Sequence, residues 1–284
     1  MAKIVRTIDT LRETVRAWQM AGETTALVPT MGYLHDAHQT LIKAGRAKSD
    51  RTVVSIFVNP KQFGPNEDFK SYPRQEKRDL EILEACGADL VFLPAQEEMY
   101  PSGFSATIDI PAFSNKLCGI GRPGHFSGVA TVCTKLFLQC MPDMAVFGEK
   151  DYQQLQIIRW LVKDLNMDID IFGVPTVREE DGLAMSSRNV YLNAEERTRA
   201  SKISVVLSTS ARRLSEGTPV DQELNNAFIK FASLVGETPE YLELCDAQDL
   251  EIIKQVRKPA RLLVAVKLGK TRLIDNWPVS PINS

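Results

Sequence analysis

Histidine is scarce in this chain, with three residues in 284, and two of them, His35 and His38, stand three positions apart. Cysteine is thin as well. The five thiols (Cys86, Cys118, Cys133, Cys140 and Cys245) are an odd count without C-x-x-C spacing. That pattern excludes a disulfide framework and a paired Cys/His metal set, and it fits reduced, mostly buried thiols of a cytoplasmic protein. The net charge is −2, and no Lys/Arg run or basic stripe appears, so nucleic-acid binding has no electrostatic footprint. No apolar run reaches transmembrane length, and the N-terminus lacks the apolar stretch of a secretory signal, so neither a membrane nor an export route is expected. The Walker pattern, the Rossmann glycine fingerprint, H-E-x-x-H and the Ser-His-Asp order are all missing. Repeats and low-complexity segments are missing too.

What is present is an ordinary globular composition, 44% hydrophobic and 25% charged, in a chain long enough for two domains. Leu11, Val15 and Trp18 mark a first helix over 10–21, with Thr10 and Glu13 spaced as a capping box. Ala26-Leu27-Val28 reads as a strand that Pro29 ends, followed by a helix over about 36–48 with Asp36 as its N-cap. The run T-V-V-S-I-F-V over 52–58 has the β-branched, continuously apolar character of a strand buried on both faces of a parallel sheet. Further strands are expected at 89–93, 144–147 and 168–174, with helices at 75–85, 129–140 and 152–165 and an irregular stretch over 102–127. Strands alternating with helices predict an α/β fold with a Rossmann-like parallel sheet over residues 1–175. Residues 176–284 read as a smaller α+β domain: a possible short strand at 176–178, helices at 194–215 and 220–235, then strands near 241–245, 261–268 and 272–276.

In parallel sheets ligands gather past the carboxyl ends of the strands. The loops at that end carry His35 and His38, then Asn59 and Gln62, then Lys150 and Asp151. Strand, Gly32 turn and helix start is a phosphate-site arrangement, and residues i and i+3 share a helix face, so both imidazoles can point at one anion. The same local pattern is equally compatible with two surface histidines. Met185-Ser186-Ser187-Arg188 offers two hydroxyls and a guanidinium fork beside Gly182, suited to phosphate oxygens, although such a segment is commonly a plain turn. Lys150 and Asp151 fit a phosphate-binding amine and a ribose- or water-binding carboxylate, or equally a solvated ion pair. Gln62 and Gln154 are amides able to hold hydroxyls or a carboxylate without adding charge. His125, in R-P-G-H-F, reads as a loop histidine bonded to backbone rather than a catalytic one.

Taken together the segments V-P-T-M-G-Y-L-H-D-A-H (28–38), V-S-I-F-V-N-P-K-Q-F-G-P-N-E-D (54–68), Y-P-R (72–74), R-P-G-H-F-S-G-V (122–129), F-G-E-K-D-Y-Q-Q-L (147–155), D-G-L-A-M-S-S-R-N-V-Y-L (181–192) and R-L-I-D-N (272–276) resemble the pantothenate synthetase (pantoate–β-alanine ligase) family. That family sits in the nucleotidyltransferase superfamily with an H-x-G-H signature and a K-M-S-K-S-like loop, which the Ser-Ser-Arg turn resembles. The resemblance implies an ATP-dependent ligase that joins pantoate to β-alanine through pantoyl adenylate, releasing pyrophosphate and AMP, with Mg²⁺ carried on the ATP phosphates. It implies catalytic roles for His38, His35, Lys150 and Arg188, with His38 as proton donor. The implied ATP site is Met31, Gly32, Tyr33, Leu34, His35, Asp36, Ala37, His38, Gly148, Glu149, Lys150, Asp151, Val177, Met185, Ser186, Ser187 and Arg188. Gln62 and Gln154, with Asn59 and Arg122, are implied for pantoate and β-alanine. Residues 64–73 and 179–189 are candidate lids, 176–284 a lid domain, and a cytoplasmic homodimer is the implied assembly.

The third position of the histidine signature is Ala37 where the family has Gly. The added methyl favours the helix and restricts backbone approach to a nucleotide. Weakened ATP binding with retained chemistry is the expectation. The rival readings are an adenylyltransferase that needs no amine acceptor and a nucleotide-binding member disabled at this position.

Overall fold

The computed structural model of the chain describes residues 2–65 and 67–281. Asn66, inside the block 54–68, lies outside the described residues. The chain forms two compact units, Met1–Glu149 with Gln154–Pro175, and Lys150–Gln153 with Thr176–Ser284.

The first unit is built on β1 (Lys3–Val5), β2 (Thr25–Thr30), β3 (Arg51–Ile56), β4 (Leu90–Phe92), β5 (Met144–Gly148) and β6 (Asp170–Val174). Their order across the sheet is β1-β4-β3-β2-β5-β6, and every pairing is parallel. Thr52, Val53, Val54 and Ser55 of β3 have no exposed surface, which is why this central strand reads as an unbroken apolar run. Crossover helices α1 (Ile8–Met20), α2 (Asp36–Arg46), α3 (Glu76–Cys86), α7 (His125–Cys140) and α8 (Tyr152–Asp164) link the strands. Single-turn helices α4 (Gln96–Met99), α5 (Pro111–Ser114) and α6 (Cys118–Gly121) interrupt the stretch expected to be irregular. The strand order reverses between β2 and β5, and such a switch point opens a crevice at the carboxyl ends of those two strands.

Several local expectations are corrected. Pro29 does not end its strand, since β2 continues to Thr30 and pairs Pro29 with Ser55 of β3. The Thr24 and Thr30 carbonyls accept from Arg51 and Phe57 on the β3 side, whereas the Thr25 carbonyl accepts from Asp143 on the β5 side. Pro29 shares the parity of Thr25, so its missing N–H falls where the β5 pairing, registered at Ala26 and Leu27, has already stopped. Helix α1 starts earlier than Thr10. Thr7 is its N-cap and accepts from the Thr10 amide, so the Thr10–Glu13 box does not form. The N-cap of α2 is His35, not Asp36. Helix α7 begins at His125, four residues before the stripe starting at Val129, with Gly124 at φ 79° turning the chain into it. Strand β1 went unpredicted because it is a three-residue edge strand with one buried position.

In the second unit Asn193 and Glu196 form a reciprocal capping box at the start of α9 (Ala194–Ser215). Helix α10 (Val220–Lys230) passes into one π-helical turn at Phe231–Val235. An antiparallel sheet β7-β8-β9 follows, with strands Tyr241–Asp246, Ala260–Leu268 and Thr271–Val279. Edge strand β9 outruns the predicted 272–276 and carries Pro278, which an edge tolerates. Residues 176–178 are not a strand; Arg178 makes one isolated antiparallel bridge to Ala184. Leu207, Phe231, Leu244, Leu262 and Val264 fill the core of this unit with no exposed surface.

Candidate active site

In the first unit the β2–α2 loop lies at the switch point. Gly32 and Tyr33 sit consecutively in the left-handed region, at φ 80° and 52°. A non-glycine residue there costs roughly 1–2 kcal/mol, so something must hold it. The holder is Asp79 of α3, 1% exposed, whose two carboxylate oxygens accept from the Tyr33 and Leu34 amides at 2.8 Å each. Thr30 Oγ1 accepts from the Gly32 amide at 3.3 Å and donates to the Ser55 carbonyl at 2.8 Å. A Cβ on Gly32 would stand 3.0 Å from Asp79 Oδ2 and 3.0 Å from the Ile56 side chain, so glycine is required for space as well as for φ. His38 Nδ1 accepts from the His35 amide at 3.3 Å, and the two rings lie 4.1 Å apart between centroids.

The structure distinguishes among the residues of this loop. Leu34 is fully buried in the sheet–helix core and its amide is taken by Asp79. Asp36 is exposed, and its side chain accepts from Gln39 Nε2 at 2.9 Å. Ala37 is half-buried in the first turn of α2 without a positive φ, so the backbone makes no demand for glycine there. Gly148 ends β5 and Glu149 opens a 3-10 turn on the other side of the switch point.

A second cluster surrounds Gln62. Asn59, 1% exposed, donates to Gln62 Oε1 and to the Gly128 carbonyl at 3.0 Å each, and accepts from the Tyr100 hydroxyl at 2.8 Å. Gln62 Nε2 in turn approaches Met31 Sδ at 3.0 Å, bringing the two segments side by side. Gly128 lets α7 lie against the Pro60–Gln62 turn, where an added Cβ would meet the Lys61 carbonyl oxygen at 2.1 Å. His125 Nδ1 lies 2.8 Å from the Gln62 carbonyl, and His125 Nε2 lies 2.8 Å from Arg122 Nη1. A guanidinium only donates, so Nε2 accepts and Nδ1 carries the proton to Gln62. This histidine is therefore a neutral support at a helix start. Arg122, half-buried, spends Nε and Nη2 on the two carboxylate oxygens of Glu67 at 2.7 and 2.6 Å. Burial works to raise the Glu67 pKa, but the Arg122 hydrogen bonds and charge outweigh it and hold the carboxyl below its ordinary value. Gln154 is half-exposed on α8.

The second unit carries the remaining candidates. Lys150 Nζ and Asp151 Oδ1 lie 3.5 Å apart in a partly exposed pair. Asn276 Nδ2 of β9 donates to the Lys150 carbonyl at 3.0 Å, and Tyr152 OH donates to the Ala247 carbonyl at 2.9 Å. The turn before Met185 is pinned from three sides. Arg178 meets Asp275, 4% exposed, through two hydrogen bonds of 2.7 and 2.9 Å and stacks 4.4 Å from the Trp277 ring. Arg197 binds Glu179 and Asp181 at 2.6 and 2.5 Å, and these hydrogen bonds lower the Asp181 pKa. Asn189 donates to Glu179 Oε1 and the Ala184 carbonyl at 2.8 and 3.2 Å. The Val177 carbonyl accepts from the Met185 amide at 3.0 Å. Ser186 caps the 3-10 helix Ser187–Tyr191, its hydroxyl accepting from the Arg188 amide at 3.2 Å.

Asp79, Asn276, Asp275 and Tyr100 escaped sequence reasoning. Each is an ordinary polar residue whose partner lies dozens of positions away, and the only available signal was membership of R-L-I-D-N for Asp275 and Asn276.

Comparison with known proteins adds a full-length likeness. The family model described as pantoate-beta-alanine ligase matches residues 3–278. A pantothenate synthetase from Paramagnetospirillum magneticum is 49% identical over 278 residues, covering 98% of each chain. One from Geobacter sulfurreducens is 46% identical over 275 residues, covering 96% of this chain and 97% of its own. Among solved structures, the pantothenate synthetase of Thermus thermophilus superposes with a TM-score of 0.93 at 41% identity, covering 98% of this chain and 100% of its own. A pantoate-beta-alanine ligase from Francisella tularensis, complexed with beta-gamma ATP and beta-alanine, superposes at 0.81 with 34% identity, covering 98% and 97%.

Proposed function

The chain belongs to the pantoate–β-alanine ligase family, and from that premise we propose how its own residues divide the reaction. The observation that carries the assignment is the match over residues 3–278. The enzyme joins pantoate to β-alanine at the expense of ATP. A carboxylate is a poor acyl donor until its oxygen becomes part of a good leaving group. In the first step a pantoate carboxylate oxygen bonds to the α-phosphorus of ATP, the bond to the bridging oxygen breaks, and pyrophosphate leaves with that electron pair. In the second the β-alanine amine bonds to the acyl carbon, the acyl–oxygen bond breaks, AMP leaves, and the nitrogen sheds its proton.

Both reactants of the first step are anions, so cations and hydrogen-bond donors must meet the negative charge developing on the phosphate oxygens. We assign this to His38, His35, Lys150, Ser186, Ser187 and Arg188, with His38 giving a proton to the departing phosphate. Met31, Gly32 and Tyr33 with Ala37, Gly148, Glu149, Asp151, Val177 and Met185 would seat the rest of the nucleotide, the Tyr33 amide itself being taken by Asp79. Leu34, whose side chain is core, and the exposed Asp36 complete the proposed nucleotide site. Gln62 and Gln154 would hold pantoate, with Asn59 ordering Gln62. Arg122 would take a substrate carboxylate only after exchanging it for Glu67. Magnesium is proposed as part of the nucleotide substrate. Among the described residues no three of His, Cys, Asp and Glu are grouped as metal ligands. A cytoplasmic homodimer completes the proposal; no described helix is long and apolar enough to cross a membrane.

The test is AMP and pyrophosphate release from Mg-ATP with D-pantoate and β-alanine supplied together and singly. Pyrophosphate with pantoate alone, and AMP with both, is the expected result. Pyrophosphate without any need for pantoate, or nucleotide binding without turnover, overturns it.

A further inference from the structure

We propose that Asp79 is a positioning residue for the nucleotide-activating step. It sits outside every motif that carries the family likeness, and nothing about its place in α3 suggests chemistry. Its carboxylate nevertheless fills the concavity made by the consecutive Tyr33 and Leu34 amides, at 2.8 Å to each. Successive amides in and after a left-handed residue make an anion-binding nest, and here the anion is supplied by the protein. Two consequences follow for the loop. Its two inner amides are withdrawn from any nucleotide, and the loop is held in a conformation that Tyr33, at φ 52°, does not adopt unaided. From Leu34 the chain enters His35, the N-cap of α2, whose amide points to His38 Nδ1 at 3.3 Å. The side chain of Asp79 thus fixes, through two residues, where the histidine pair begins. Arg78 adds a hold on the same turn, its guanidinium 5.5 Å from the Tyr33 ring centre. Fixed donors and acid groups accelerate a reaction only while they stay within a fraction of an ångström of the developing charge, and a displacement of about 1 Å costs on the order of 100-fold.

The inference rests on the assignment of residues 31–38 to ATP, and the experiment separates the two. Pyrophosphate release is measured with ATP and pantoate, and pantothenate release is measured from supplied pantoyl adenylate with β-alanine. His38→Ala serves as the control for the site itself. Loss of pyrophosphate release in that variant upholds the ATP assignment whatever Asp79 does. Asp79→Ala removes both acceptors. Asp79→Asn keeps one acceptor and turns an NH₂ toward the other amide. The expected result is a fall in pyrophosphate release of about 100-fold in Asp79→Ala and of about tenfold or more in Asp79→Asn, with the aminolysis of supplied adenylate within about twofold of the unaltered enzyme in both. Asp79→Glu, which restores the charge on a longer stem, regains part of the loss. Equal losses in both half-reactions would overturn the proposal, because a merely structural residue removes active protein from both alike. Unchanged pyrophosphate release, or failure of the mild Asp79→Asn variant to fold, would overturn it as well.

Discussion

Ala37 stands where the family carries glycine, and its surroundings say what the exchange does. It occupies the first turn of α2 with an ordinary helical backbone. Alanine there favours the helix by about 1 kcal/mol over glycine, and the half-buried methyl adds bulk to the first turn of the helix that carries His38. Reverting it is expected to trade stability for nucleotide affinity: in Ala37→Gly the KM for ATP falls severalfold, kcat changes little and the melting temperature drops by a few degrees. An unchanged KM would show that the methyl does not face the nucleotide. Residue-scale burial also decides the thiols. Cys133 and Cys140 lie inside α7, and burial pushes both up to about 12. The thiolate is the reactive form, so native enzyme at pH 8 is expected to leave these two unmodified by an aromatic disulfide reagent and to expose them on denaturation. Rapid native labelling of either one would contradict this.

At the scale of elements, the close approach of α7 to the Pro60–Gln62 turn depends on one missing Cβ. Gly128→Ala would set a methyl 2.1 Å from the Lys61 carbonyl oxygen, backbone against side chain, with no flexible group to yield. The helix must retreat, carrying the Asn59–Gly128 hydrogen bond with it. A loss of about 1–3 kcal/mol in urea unfolding and a raised KM for pantoate, from the displaced Gln62, are expected together. The loop bearing Glu67 has a pH signature. Its folded pKa is lowered, so the Arg122 pair contributes stability above the ordinary glutamate range, near pH 4, and that stability is lost as the pH falls through the lower folded value. The protection factors of amides in 67–73, corrected for the intrinsic pH dependence of exchange, are expected to fall on acidification below about pH 4 and to stay constant between pH 5 and pH 8. Elements of this length were legible where one physical demand dominated. The doubly buried β3 had to be apolar on both faces, and the capped, amphipathic α9 had to repeat at helical spacing. They were illegible where the deciding fact lay elsewhere in space. Pro29 fits inside β2 only because β5 has already turned away, and His35 is not a residue that capping preferences favour.

At the scale of the whole molecule, the strand order explains why the loops after β2 and β3, which carry His35 and Gln62, share one end of the first unit's sheet, and alternation of strands and helices was enough to foresee the parallel class. The Asn59, Gln62, Lys150 and Ser-Ser-Arg segments could be picked out only together, through their resemblance to one family's motifs, since each alone reads equally well as an ordinary turn or a solvated pair. Their supports could not, because Asp79, Asp275 and Asn276 act across 45 to 126 positions of sequence. Nor does any change of composition show that Lys150–Gln153 group with the second unit, since composition can mark only contiguous stretches. Within that unit Asn276 is the organising residue. It is 2% exposed, donates to the Lys150 carbonyl at 3.0 Å and accepts from Arg261 Nη1 at 2.9 Å, while its own carbonyl lies 3.3 Å from Arg178 Nη2. Replacing its side chain by alanine strands a partly buried carbonyl and part of a guanidinium, a loss of about 1–3 kcal/mol. Because cooperative units open separately, Asn276→Ala is expected to speed amide exchange in Lys150–Gln153 and along β8 and β9 while β3 keeps its protection. Pyrophosphate release should fall with it, since Lys150 loses the bond that orients its backbone. Exchange rising equally in β3 would mean the molecule opens as one unit, and exchange confined to β9 would mean that the segment carrying Lys150 is held by other contacts.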